Sequence, residues 1–287
     1  MRGAPLGAQL AIALLSATAA ARQQPPVDLP AMLERVGANV QQYYARARSI
    51  VCVETVRLQP LRSDMSPEGF GRRLVYELRV AWEPSADGEM PREPTVLRQI
   101  LTIDGRTPKP KDNPGCMDPK PVSPEPLAFL LPSRRSDYVF NLAGPGKTDG
   151  RSGVVIEYKS ASRKPPEIVW HDECVSVDLP GQTRGRVWVD DATGEILRLD
   201  ERIAGMFELP VPREHTRHGD AGFMLIERAE SSIRYRPVVF HDPDETLLLP
   251  ASIESFTVIR NSGTPRLRTT QEFSGYKRFM TGGRLVR

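Results

Sequence analysis

Gly144-Pro145-Gly146-Lys147-Thr148 ends like a phosphate-binding loop, in which backbone N–H groups and a helix N-terminus cradle phosphates. That motif requires a further glycine at position 141, where the chain has Asn141, and a helix directly afterwards. Asp149-Gly150-Arg151-Ser152-Gly153 begins a helix poorly, so the segment reads as a turn. His215 and His218, with His241 and Asp242 further on, are of the right types to ligate a metal. The stretch from Pro210 to Gly222 has no helical period and several breakers, so these histidines read as part of an exposed loop. His171-Asp172-Glu173 beside Trp170 reads the same way. The carboxylate pairs Asp190-Asp191 and Asp242/Asp244-Glu245 flank turns, where Asp commonly caps backbone N–H groups. Neither a G-x-S-x-G elbow nor an H-E-x-x-H pair occurs. The expectation is a non-catalytic protein with no metal and no cofactor.

Cys52, Cys116 and Cys174 remain as reactive groups. No CxxC or CxxH spacing favours zinc. In an oxidising compartment three cysteines allow one intramolecular disulfide, in three possible pairings. Cys116 and Cys174 lie in polar, turn-rich segments and Cys52 in the apolar run from Ile50 to Val53. This favours a Cys116–Cys174 bond and a buried, inert Cys52.

The elements that must position these residues follow from periodicity. Leu29, Leu33, Val36, Val40, Tyr43 or Tyr44, and Ala47 recur at helical spacing, with Asp28 as an N-cap and Pro30 in the first turn. Beyond this helix the period falls to two. Leu74, Tyr76, Leu78, Val80 and Trp82 share one face of a strand, and Arg73, Glu77 and Arg79 share the other. The same alternation returns over residues 231–236 and 266–273. One-sided burial of many strands indicates an antiparallel sheet. Asp104-Gly105, Asn113-Pro114-Gly115, Asp191-Ala192-Thr193-Gly194 and Asn261-Ser262-Gly263 supply hairpin turns. The clearest hairpin joins residues 185–190 to residues 195–200, and a second short helix is expected over residues 124–131. Residues 107–126, rich in proline, read as a long surface loop.

Composition agrees with this outline. At 39% apolar and 26% charged the 287-residue chain is not a disordered one, and its 27 prolines suit many strand edges and turns. The formal net charge is only +3, with basic residues spread along the length, so no nucleic-acid partner is expected. Residues 1–21 have the layout of a cleavable signal peptide: Arg2, an apolar run from Leu6 to Leu15, then Ala19 and Ala21 at an Ala-x-Ala site. A membrane anchor is the competing reading, but the apolar run is shorter than a spanning helix needs. Periplasmic or extracellular export is expected, with residues 22–287 forming one β-rich domain that has no transmembrane anchor after processing.

The hairpin Gly185-Arg186-Val187-Trp188-Val189-Asp190-Asp191-Ala192-Thr193-Gly194-Glu195-Ile196-Leu197-Arg198, behind an N-terminal helix in an exported chain, resembles the outer-membrane lipoprotein-sorting, LolA/LolB-like proteins. Leu248-Leu249-Pro250-Ala251-Ser252-Ile253 before one strand and Phe273-Ser274-Gly275-Tyr276-Lys277-Arg278-Phe279 near the end look similar too. The resemblance implies a mainly β (α+β) fold: a large curved antiparallel sheet or half-barrel, with the N-terminal helix and one short helix on its concave side. It also implies an apolar cavity for acyl chains, and hence a lipid or an acylated protein as partner. No ligand-contacting motif of that family maps onto this chain. Strand alternation alone nominates Leu74, Tyr76, Leu78, Val80 and Trp82 as cavity-lining. The alternative is an envelope interaction protein with a filled core and no small-molecule ligand, acting through surface contacts with another envelope protein. An exported hydrolase ranks below both.

Overall fold

Asp28 caps the helix α1 (Leu29–Arg46), its carboxylate accepting from the Ala31 N–H, and Pro30 sits in the first turn where a missing donor costs nothing. The buried stripe Met32, Leu33, Val36, Gly37, Val40 and Tyr44 follows the helical period. In this computed structural model the described residues are 27–47, 50–81, 95–109, 112, 116, 118–119, 125–171, 174–216, 221–241 and 244–278. Residues 1–21, read above as a signal peptide, and Trp82 lie outside them.

Thirteen strands are described: β1 (Ile50–Pro60), β2 (Arg72–Ala81), β3 (Thr95–Ile103), β4 (Tyr138–Thr148), β5 (Arg151–Ser160), β6 (Glu167–His171), β7 (Cys174–Asp178), β8 (Thr183–Asp190), β9 (Ile196–Ile203), β10 (Phe207–Pro210), β11 (Phe223–His241), β12 (Asp244–Arg260) and β13 (Arg266–Arg278). Eleven form one antiparallel sheet in the order β3-β2-β1-β13-β12-β11-β9-β8-β5-β4, with β10 paired to part of β11. The sheet does not close into a barrel, and β6 and β7 form a separate hairpin. Bulges at Val51/Val53, Val75/Tyr76, Leu142/Gly144, Trp188/Val189 and Arg234/Tyr235 add bend and twist along it.

A single apolar cluster joins α1 to one face of this sheet. It takes Cys52 from β1, Leu78 from β2, Ile156 from β5, Val187 from β8, Leu199 from β9, Ile233 from β11, Ile253 from β12 and Phe273 from β13. Strands from both halves of the sheet therefore meet the same helix, which makes that face concave. The 3-10 turn Glu125–Leu130 lies on this side as well, burying Leu127, Phe129 and Leu130, and Phe129 stacks on Tyr158 at 4.2 Å.

The segment 144–148 is a correction to the sequence reading. It is the last part of strand β4, bulged at Gly144 (φ 115°), and the turn falls one step later on Asp149 and Gly150, both at positive φ. A side chain at position 146 would run into Val155 and the Trp188 ring, so this glycine serves close packing between strands. The nucleotide-loop likeness has no structural counterpart. Trp188 itself lies on the outer face, beneath the Arg198 guanidinium at 4.7 Å.

Candidate functional site

Leu74, Tyr76, Leu78 and Val80 all point to the concave face and are all buried. The structure divides them between two places. Leu78 and Val80 border a small apolar cleft beneath the C-terminal end of α1, while Leu74 and Tyr76 pack with Val56, Leu58 and Ile103 in a separate cluster. Tyr43 and Ala47 of the helix side line the cleft, opposite Ile50 and Cys52 of β1, Leu249 and Pro250 of β12, and Phe273 and Tyr276 of β13. Its volume is about 40 Å³. Ligand pockets commonly hold roughly 300–1,000 Å³, so the described conformation is closed.

The cleft carries no charge at neutral pH. Burial pushes the Cys52 thiol up to about 12, the nearby Glu54 carboxylate adding to the effect. Burial also raises the Tyr43 and Tyr276 phenols, and the Tyr276 hydroxyl donates to the Pro250 carbonyl at 2.6 Å. A surface of this kind gains from contact with hydrocarbon and offers little to an ion.

The helix that roofs the cleft is held by polar contacts near its middle and at its end. Arg135 donates to the Leu33 carbonyl at 2.9 Å and pairs with Glu34. Asn39 donates to the Thr193 carbonyl at 2.8 Å, which is the turn of the β8–β9 hairpin. Arg278, at the end of β13, donates to the Arg46 carbonyl at 2.7 Å. At the middle of α1, Gly37 brings the helix against Arg135 and the Leu130 carbonyl, where a β-carbon would be crowded.

Beside the apolar cleft lies a polar cluster that sequence reasoning missed. Glu54 is fully buried, and Arg98 of β3 grips it with two hydrogen bonds, at 2.8 and 3.1 Å. Gln271 of β13 donates to the same carboxylate at 2.8 Å. Arg98 also reaches Asp118 at 3.0 Å and the Pro119 carbonyl at 2.7 Å, and lies 3.8 Å over the Tyr76 ring. Tyr76 completes the circuit by donating its hydroxyl to Asp118 at 2.8 Å. A signal was present: Glu54 occupies the inward position of the alternating series Ile50, Cys52, Val56, Leu58.

Cys116 and Cys174 are disulfide-bonded, with Cα atoms 5.1 Å apart, and Cys52 is a free, buried thiol. The bond joins the connection between β3 and β4 to the β6–β7 hairpin, two residues from Asp118. His215 stacks on Trp170 at 4.4 Å, and among the described residues no group of three or more His, Cys, Asp or Glu side chains is arranged to hold a metal ion. No described helix is long and apolar enough to cross a membrane.

An open antiparallel sheet wrapped on one helix, with a closed apolar cleft between them, is the class of structure these observations define. No family model and no curated protein matches the chain. Among solved structures it is similar to an outer membrane lipoprotein-sorting protein domain from Vibrio parahaemolyticus, with 11% identity, 88% of this chain and 94% of that one covered, and a TM-score of 0.44. A DUF1329 family protein from Desulfovibrio piger gives 9% identity, coverages of 90% and 96%, and a TM-score of 0.44. A LolA superfamily protein from Nitrosomonas europaea gives 10%, 90%, 96% and 0.34 in the same order.

Proposed function

We propose that the protein is a non-catalytic periplasmic carrier that holds an acyl chain of a lipid or acylated protein between the C-terminal turns of α1 and the concave face of the sheet. The observation that carries this reading is the cleft: its lining is apolar and uncharged, with helix-end residues on one side and strands on the other, so lifting the helix end widens it. Each methylene drawn from water into such a space contributes about 0.8 kcal/mol. With so few polar groups at the opening, headgroup selectivity is loose.

The smallness of the cleft favours a second reading, an envelope interaction protein whose concave side is simply filled. One experiment separates the two. The purified full chain is extracted with organic solvent for mass spectrometry, then titrated with an apolar dye. The carrier reading expects bound lipid, dye uptake, and displacement of dye by added fatty acid. Leu78→Arg, and Val80→Arg nearer the cleft edge, abolish uptake while the circular dichroism spectrum is retained. A wild-type protein that carries no lipid and takes up no dye overturns the carrier reading in favour of the filled core.

A further inference from the structure

On the sheet face turned away from α1, alternate strand positions build rows of side chains across the strands. One row runs Lys159 (β5), Arg184 (β8), Arg202 (β9), Glu230 (β11), Phe256 (β12) and Arg268 (β13), each directly opposite the next. Its first three members are cations facing one another on adjacent strands. Neighbouring strands lie about 4.8 Å apart, so three positive charges fall within roughly 10 Å. Like charges placed directly opposite destabilise a sheet.

Glu230 lies directly opposite Arg202, but the carboxylates nearest the three cations are bonded to other arginines. Glu157 is engaged by Arg186 at 2.7 Å, Asp200 by Arg198 at 2.7 Å, and Glu230 by Arg228 at 2.6 Å. Among the described residues Lys159, Arg184 and Arg202 have no carboxylate partner; all three are exposed and line one groove of about 690 Å³. That volume is the size of a small-molecule site. Met65 and Phe256 lie towards one end of the groove, with Arg228 over the Phe256 ring and Arg268 opposite it, and Lys159, Arg184 and Arg202 lie towards the other.

We propose that this groove is a second binding site, distinct from the acyl cleft, for a ligand bearing phosphoryl groups, which sit over Lys159, Arg184 and Arg202. A phosphoryl group brings several acceptor oxygens and up to two charges to a small volume, matching guanidinium forks set side by side. The three cations without a carboxylate partner sit on adjacent strands and are bordered by Glu157, Asp200 and Glu230, so the cluster matches a compact anion.

The test uses the full chain at low ionic strength, with two probes. Inorganic pyrophosphate is titrated calorimetrically, and binding to phosphatidylcholine vesicles containing phosphatidic acid is compared with binding to pure phosphatidylcholine vesicles. Pyrophosphate binding supports a soluble phosphorylated ligand; selective retention on the phosphatidic acid vesicles alone supports a lipid headgroup. In either case Arg184→Gln/Arg202→Gln weakens binding at least about tenfold, while Arg79→Gln, an exposed arginine of β2 on the same face, leaves it unchanged. The double variant melts no lower than the wild type, because it removes the repulsion among the three neighbouring cations. The proposal is overturned if neither probe binds, if the double variant binds as well as the wild type, if Arg79→Gln weakens binding equally, or if the double variant melts lower, which would make the cations part of the fold.

Discussion

Arg98 compensates a carboxylate that would otherwise be stranded inside the sheet. Glu54 is wholly buried and its carboxyl is held above its ordinary value of 4.5, because burial outweighs the opposing pull of Arg98 and Gln271. Removing the guanidinium with Arg98→Met leaves a buried charge unpaired and is expected to cost about 3–5 kcal/mol in urea unfolding. Glu54→Gln keeps Arg98 supplied by Asp118 and the Pro119 carbonyl, and costs less, about 1–3 kcal/mol. The pH dependence has a definite sign. A folded-state value above the unfolded one means that the group's contribution is complete below 4.5 and is lost as the pH rises through the folded value. Wild type therefore gains stability relative to Glu54→Gln as the pH falls from neutral towards 4.5. Glu201 acts in the same sense, its carboxyl raised by burial despite the hydroxyl of Tyr158 at 2.9 Å. A difference curve between wild type and Glu54→Gln that is flat over this range would contradict the assignment.

At the scale of elements, α1 acts as the roof of the apolar cleft, and Cys52 beneath it reports whether the roof is shut. A thiol pushed up to about 12 and covered by the helix reacts slowly with alkylating reagents at neutral pH. Arg135→Ala removes the hydrogen bond to Leu33 and the pair with Glu34, and Asn39→Ala removes the tie to the β8–β9 turn. The double variant is expected to alkylate Cys52 several-fold faster in the absence of denaturant, and a saturating fatty acid slows it again. Equal rates in wild type and variant would mean that these two ties do not keep the helix closed over Cys52. Both α1 and the β8–β9 hairpin were legible in the sequence, because their signals are local: an N-cap and a stripe in one, and alternation around the turn Asp191-Ala192-Thr193-Gly194 in the other. The inward face of β2 was legible for the same reason. The division of that face was not. Which of Leu74, Tyr76, Leu78 and Val80 meets a cleft depends on β12 and β13, some 170 residues or more further along. Glu54 stayed hidden despite its inward place in the alternation, because its partners Arg98 and Gln271 are identified only once β3 and β13 are placed. The row of cations on the outer face escaped notice likewise, since Lys159, Arg184 and Arg202 come together only through the registers of three strands.

For the whole molecule, the Cys116–Cys174 bond closes a loop with a sequence separation of 58. Loop closure of this length is worth about 4 kcal/mol in the chain-entropy treatment, and measured values are commonly 2–4. Cys116→Ser/Cys174→Ser should lower stability by about that amount. It should also overlap with the effect of Arg98→Met rather than add to it, since the bond delivers Asp118 to Arg98. Additivity of the two in urea unfolding would show that Asp118 is placed independently of the bridge. The order of strands has one more effect. β1, the first described strand, lies between β2 and β13, the last described one, and Gln271 meets Glu54 across a separation of 217 residues. A nascent chain that has not yet delivered residues 266–278 thus lacks the strand that joins its two half-sheets, and holds a carboxylate still waiting for one of its donors. Formation of the β1–β13 pairing therefore waits for residues 266–278, and pairings of such long sequence separation form slowly.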